Sequence, residues 1–151
     1  MGIGMYSLVL DNVLTYEVEQ KKDDWQNGVY EMENFTLNKD VYKNGPVIFS
    51  CKQHPTDKNA GLFTYYLPIS SSVVLSDESV FTFKETFVLE KALLLRQADQ
   101  EIDFYAAYEK VISYANSNKI EVEDTYYCVL LEVYGEYMID LYVPLKEQGD
   151  E

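Results

Sequence analysis

The sequence predicts an α+β domain of duplicated β-α-β-β modules with pseudo-two-fold symmetry, an antiparallel sheet carrying two helices on one face. Three observations point there. Apolar periodicity runs strand, helix, strand, strand, and then repeats in that order. Leu67-Pro68-Ile69 returns as Val143-Pro144-Leu145 at an offset of 76 residues, which also lays Tyr66 over Tyr142, Thr64 over Asp140 and Met32 over Tyr108. Finally, one helix and three strands cannot cover both faces of their own sheet, so the halves must pack together. The length of 151 residues suits a single domain, 1–151, with repeats 6–69 and 80–145 joined by a Ser-rich connector, 70–79.

Residues 7–19 (SLVLDNVLTYEVE) are β-branched and apolar, with Leu8, Leu10, Leu14, Tyr16 and Val18 on one parity, which predicts a long half-buried strand. Asp23 and Asp24 then precede Trp25, Val29, Met32 and Phe35, spaced as one face of an amphipathic helix with acids at its start. Asn44-Gly45-Pro46 is a turn; the runs 47–51 and 62–69, separated by a polar loop, form a hairpin. In the second half, 80–95 is a long strand, although 90–96 contains enough helix formers to leave its end open between strand and helix. Glu101 and Asp103 introduce a helix carrying Phe104, Tyr108, Val111 and Ala115 on one face. Strands 124–133 and 137–145 close the chain as a hairpin around a short turn with Gly135.

The 12 basic residues against 26 acidic ones leave a net charge of −14. Such a field repels phosphate, so no direct binding of DNA or RNA is expected. It favours a cationic small molecule or a basic protein, or it simply keeps the chain soluble. No run approaches a membrane span and residues 1–7 lack the marks of a signal peptide, which suggests a cytoplasmic protein. Cys51 and Cys128 lie in apolar runs and are expected as reduced core thiols. One histidine, His54 in a polar loop, with two distant cysteines makes neither a zinc set nor a His-paired nucleophile. Without a phosphate loop, dinucleotide glycines or a calcium loop, no cofactor, metal or catalytic residue is expected.

The order of elements, with the ending Tyr137-Met138-Ile139-Asp140-Leu141-Tyr142-Val143-Pro144-Leu145, resembles the gyrase-inhibitory-protein-like (GyrI-like) effector-binding domains. The resemblance spans nearly the whole chain in element order and about nine residues in sequence. It implies a ligand cleft at the dyad, often selecting amphipathic organic cations with a pocket carboxylate as counter-ion. In the last strand that acid falls on Asp140; where the family has a second carboxylate, at the start of the preceding strand, this chain offers Tyr126 or Tyr127. The overall pattern is nearest to small stand-alone bacterial members found beside secreted polymorphic toxins, which implies a protein partner. Some relatives are hydrolases, an activity this chain shows no nucleophile or base to support.

Tyrosine is the outstanding residue: 14 of 151, roughly three times the usual share of about 3%. Strand alternation sorts Tyr126, Cys128, Leu130 and Glu132 onto one side of their strand, and Met138, Asp140 and Tyr142 onto one side of the next, with Thr64 and Tyr66 added by the repeat. If Tyr127, Val129, Leu131, Ile139, Leu141 and Val143 take the helices, the first set faces an open cleft. The ligand-binding candidates are therefore Thr64, Tyr66, Tyr126, Cys128, Glu132, Met138, Asp140 and Tyr142. Aromatic faces around a carboxylate make a cation cage, each ring contributing roughly 0.5–2 kcal/mol. The same tyrosines equally suit a protein interface or plain cover of a sheet face. The leading expectation is a non-catalytic adaptor, able to neutralise a basic toxin of a secreted toxin system; the alternative is a stand-alone sensor or sequestering domain for an amphipathic organic cation. Monomer and homodimer both remain open.

Overall fold

A computed structural model describes residues 3–39, 41–76, 79–97 and 104–146. The chain runs β1 (Ile3–Lys21), a 3-10 turn (Lys22–Asp24), α1 (Trp25–Lys39), β2 (Ile48–Gln53), β3 (Ala60–Pro68), β4 (Phe81–Gln97), α2 (Phe104–Ser117), β5 (Thr125–Val133) and β6 (Glu136–Pro144). The architecture is α+β, as the periodicity implied. Asp23 and Asp24 occupy the 3-10 turn ahead of α1 rather than its first turn. Glu101, Asp103, residues 77–78 of the connector and the acidic end 148–151 lie outside the described residues. The open question at the end of β4 resolves as strand: Ala92 to Gln97 pair with β6, and Leu93 and Leu95 are buried, so tertiary pairing outweighs helix propensity.

All strand pairs are antiparallel, in the order β1-β3-β2-β5-β6-β4, and β4 returns to β1 to close the ring. The long strands β1 and β4 make this closure. Each pairs with its own half near one end and with the other along the ribbon between Ile3↔Leu95 and Tyr16↔Phe81. In both halves the third strand lies between the other two: β3 between β1 and β2, β6 between β4 and β5. Pro68 pairs with Val13 and Pro144 with Ala92; Tyr66 pairs with Ile48 and Tyr142 with Tyr127. A shift of 79 residues thus relates β1 to β4 and β2 to β5, while 76 relates β3 to β6. Between the halves, the pairs Phe49↔Cys128 and Val9↔Val88 join residues related by that same shift of 79, so the pseudo-dyad passes through both pairs.

One core joins the helices to the sheet. Val29, Met32 and Phe35 of α1 and Ala107, Val111 and Ala115 of α2 meet Leu14, Phe49, Phe63, Tyr65, Leu93, Tyr126, Cys128, Leu130, Ile139, Leu141 and Val143. Gly28 lets α1 approach: a Cβ there would stand 2.2 Å from the ring of Tyr65, whose hydroxyl donates to the Trp25 carbonyl at 2.5 Å. A second cluster covers the opposite face, where Val13, Ile48, Tyr66 and Val129 are packed by Leu8, Leu10, Phe87, Tyr127 and Tyr142. Leu10 and Leu14 share a parity yet join different clusters. Asn12 between them has φ 55°, a left-handed residue at which the alternation of β1 breaks. Among the described residues no helix is long and apolar enough to cross a membrane.

Candidate functional site

The β5–β6 hairpin decides which side chains share a face. Its loop is Tyr134-Gly135, both with positive φ (54° and 81°), the two-residue turn whose twist matches paired strands. That turn sets Val133 opposite Glu136 and hence Val129 opposite Asp140 and Tyr127 opposite Tyr142. Odd positions of β5 therefore accompany even positions of β6. A register shifted by one residue moves every side chain to the other face, which is where alternation taken alone goes wrong. Tyr126 and Cys128, expected beside Asp140, point instead into the helix-facing core at 5% and 0% exposure. Glu132 shares their parity at the exposed end of β5. Ile139, Leu141 and Val143 do face the helices, but Tyr127 and Val129 lie on the other side.

That other side brings together Thr64, Tyr66, Met138, Asp140 and Tyr142 from the expected set, and adds Thr15, Ser50, Tyr127, Phe87 and Arg96, which sequence reasoning missed. It is no open cleft. The β1–β4 ribbon lies over it, and Tyr66 is 7% exposed with its ring 4.7 Å from Phe87 and 6.0 Å from Tyr127. Burial pushes the Tyr66 and Tyr127 phenols above their ordinary value, and at Tyr66 the neighbouring hydroxyls of Ser50, Tyr127 and Thr64 partly offset it. Thr15 adds a hydroxyl hydrogen bond to Thr82.

At the far end of the face stands Asp140, buried, on the sheet between Val129 and Arg96. Arg96 donates from Nε to Asp140 Oδ1 at 3.2 Å; its side chain is 70% exposed against 10% for the aspartate. Tyr142, two residues along β6, has its phenol raised by burial first and by the Asp140 charge second, with Arg96 opposing. Polar groups thus gather at two ends of one aromatic face: neutral hydroxyls at the Tyr66 end, an ion pair at the Asp140 end.

The two thiols and the imidazole lie off this face. Cys51 and Cys128 are buried free thiols, both raised by burial, which the neighbouring Tyr126 hydroxyl partly offsets at Cys51. Raised thiols are poor nucleophiles. His54 Nδ1 accepts the backbone N–H of Thr56 at 3.1 Å and of Asp57 at 3.0 Å, so the ring proton sits on Nε2, which reaches Glu19 at 3.3 Å. Among the described residues no group of three His, Cys, Asp or Glu side chains is placed to hold a metal. A separate surface groove of about 780 Å³ runs between α1 and residues 73–76 and 79–81, lined by Phe35, Val41, Val73, Leu75 and Phe81 and by Glu31.

Comparison with known proteins supplies a family and a fold. The sequence profile of a domain of unknown function, DUF5085, matches residues 9–148. No curated protein matches the chain. Solved structures do. The C-terminal domain of EcmrR aligns with a TM-score of 0.68 at 9% identity, over 97% of this chain and 99% of that one. SAV2435, bound to tetraphenylphosphonium, aligns at 0.58 and 10% over 97% and 94%. A hydrolase from Listeria innocua aligns at 0.55 and 11% over 94% and 91%. At such identities the likeness establishes a shared fold, the GyrI-like one.

Proposed function

The chain belongs to the DUF5085 family, which is defined without an activity, and from that premise we propose that it is a non-catalytic binding domain for an amphipathic organic cation, seated on the tyrosine face with Asp140 as counter-ion. One observation carries the reading: a carboxylate held at 7% exposure on an aromatic sheet face, its charge met by a guanidinium that is mostly in solvent. A buried charge is costly unless paired, so a cation that brings its own apolar surface gains both the carboxylate and the rings of Tyr142 and Tyr127. SAV2435, of the same fold, binds a cation of this chemical class, which supports the reading.

The face is closed in the free protein, so a ligand must part the ribbon or displace side chains at the Asp140 end. Binding is therefore slower than diffusion and its affinity is reduced by the cost of opening. Calorimetric titration with tetraphenylphosphonium tests this: micromolar binding is expected, weakened at least tenfold by Asp140→Asn. No heat below millimolar, or equal affinity in the variant, overturns it.

A second reading keeps the adaptor role, in which a partner protein, basic in charge and belonging to a secreted toxin system, docks on the acidic surface. The groove beside α1 favours it, because much of its lining is apolar and the acidic Glu31 takes part in it. Leu37→Asp is outside this groove and Val73→Asp within it; loss of partner capture by the second alone supports the adaptor.

A further inference from the structure

We infer that Arg96 is a built-in competitor for the cation seat: it holds Asp140 in the free protein and swings into solvent when a cationic ligand enters. The inference rests on the reading of the tyrosine face as a cation site and names what sets its selectivity. Arg96 and Asp140 are directly opposed on β4 and β6, so both side chains leave the same face from fixed positions. Their exposures differ sharply, 70% against 10%, which places the aspartate in the sheet and the guanidinium at its edge. The link is a single hydrogen bond through Nε, where an arginine fork can make two parallel ones to a carboxylate. One end of the pair is thus fixed and the other only lightly held.

The other half of the molecule shows that strand pairing does not demand this arginine. The position related to Arg96 by the 79-residue shift is Glu17, which stands opposite Thr64, the counterpart of Asp140. At these two equivalent positions the charge differs with the partner: Arg96 faces the carboxylate of Asp140, and Glu17 faces the hydroxyl of Thr64. The Arg96 guanidinium is already mostly in solvent, so the obstacle to displacing it is the pair itself. A small hydrated cation gains little on Asp140 beyond what Arg96 already provides and is excluded. A bulky apolar cation adds ring contacts with Tyr142 and prevails.

Titrating tetraphenylphosphonium into wild type, Arg96→Gln, Asp140→Asn and the double variant tests the inference. Arg96→Gln is expected to tighten binding by about two- to fivefold, the worth of a partly exposed ion pair. The double variant should bind like Asp140→Asn alone, since removing the carboxylate removes what Arg96 competes for. In the wild type, the Arg96 Nε–H resonance should move to the position of a solvent-exposed guanidinium at saturation. If Arg96→Gln binds no more tightly while Asp140→Asn binds more weakly, the cation site stands and the competitor falls. If neither wild type nor Arg96→Gln binds, both fall. An Arg96 resonance unmoved at saturation also overturns the displacement.

Discussion

The two halves share one backbone plan and differ in what they place on it. In the first, Tyr66 stands among the neutral hydroxyls of Ser50 and Thr64, with Tyr127 reaching it from the second; there, its counterpart Tyr142 stands beside an ion pair, Asp140 with Arg96. Beneath the helices the contrast reverses. Tyr65 is polar-anchored, accepting from Gln20 Nε2 at 2.8 Å and donating to Trp25, whereas the matching Leu141 is wholly apolar and fully buried. Pairing geometry is therefore indifferent to side-chain chemistry at these positions. Each half specialises, and among the described residues the buried charge, Asp140, belongs to the second.

The contrast beneath the helices breaks most easily. Leu141→Ala should cost about 3–4 kcal/mol, transfer plus cavity, while Tyr65→Phe should cost only about 1–2 kcal/mol for its lost hydroxyl bonds. Urea unfolding of both variants checks this; equal losses would erase the distinction between an apolar seat and an anchored one.

Alkaline pH tests the neutral groups that both halves bury. Burial raises Cys51 and Cys128 above 9.0 and Tyr65, Tyr66, Tyr126 and Tyr127 above 10.0, so all fold uncharged. The stability they contribute is whole below their unfolded values and falls as pH rises, because the unfolded chain then releases protons that the folded chain retains. The urea midpoint should stay level from neutrality to about pH 9 and then drop, with a slope near 1.4 kcal/mol per pH unit for each fully buried group. Replacing both cysteines by alanine should delay the onset by about one unit, since the tyrosines titrate later.

The smallest effect concerns the turn that sets the face. Tyr134 carries a left-handed φ that asparagine tolerates better, so Tyr134→Asn should stabilise by about 0.5–1 kcal/mol, read as a higher melting temperature.

The element order was legible because its signals are local: helical spacing at Val29, Met32 and Phe35, alternation along β6, and Gly135 at the last turn. The paired Pro68 and Pro144 even gave the 76-residue relation between β3 and β6. Facing was legible only in part. Asp140, Tyr142, Thr64 and Tyr66 fall together because one repeat relates their strands. Tyr126 and Cys128 were misplaced because their facing depends on the β5–β6 register, which the Tyr134-Gly135 turn fixes and alternation does not. Arg96 escaped notice for a similar reason: β1 and β4 obey a shift of 79, and the residues around Arg96 read locally as helix formers. Closure of the ring by the ribbon, which covers the tyrosine face, depends on contacts between residues 65 to 92 apart and leaves no local mark.

Two probes of one shape and opposite charge test the central claim most directly. Tetraphenylphosphonium and tetraphenylborate, titrated in parallel into the wild-type protein, present the same four rings to the aromatic face and differ only in sign. A charge-reading site on Asp140 binds the phosphonium and ignores the borate, and the preference collapses in Asp140→Asn. Equal binding of both ions, or of neither, contradicts the account.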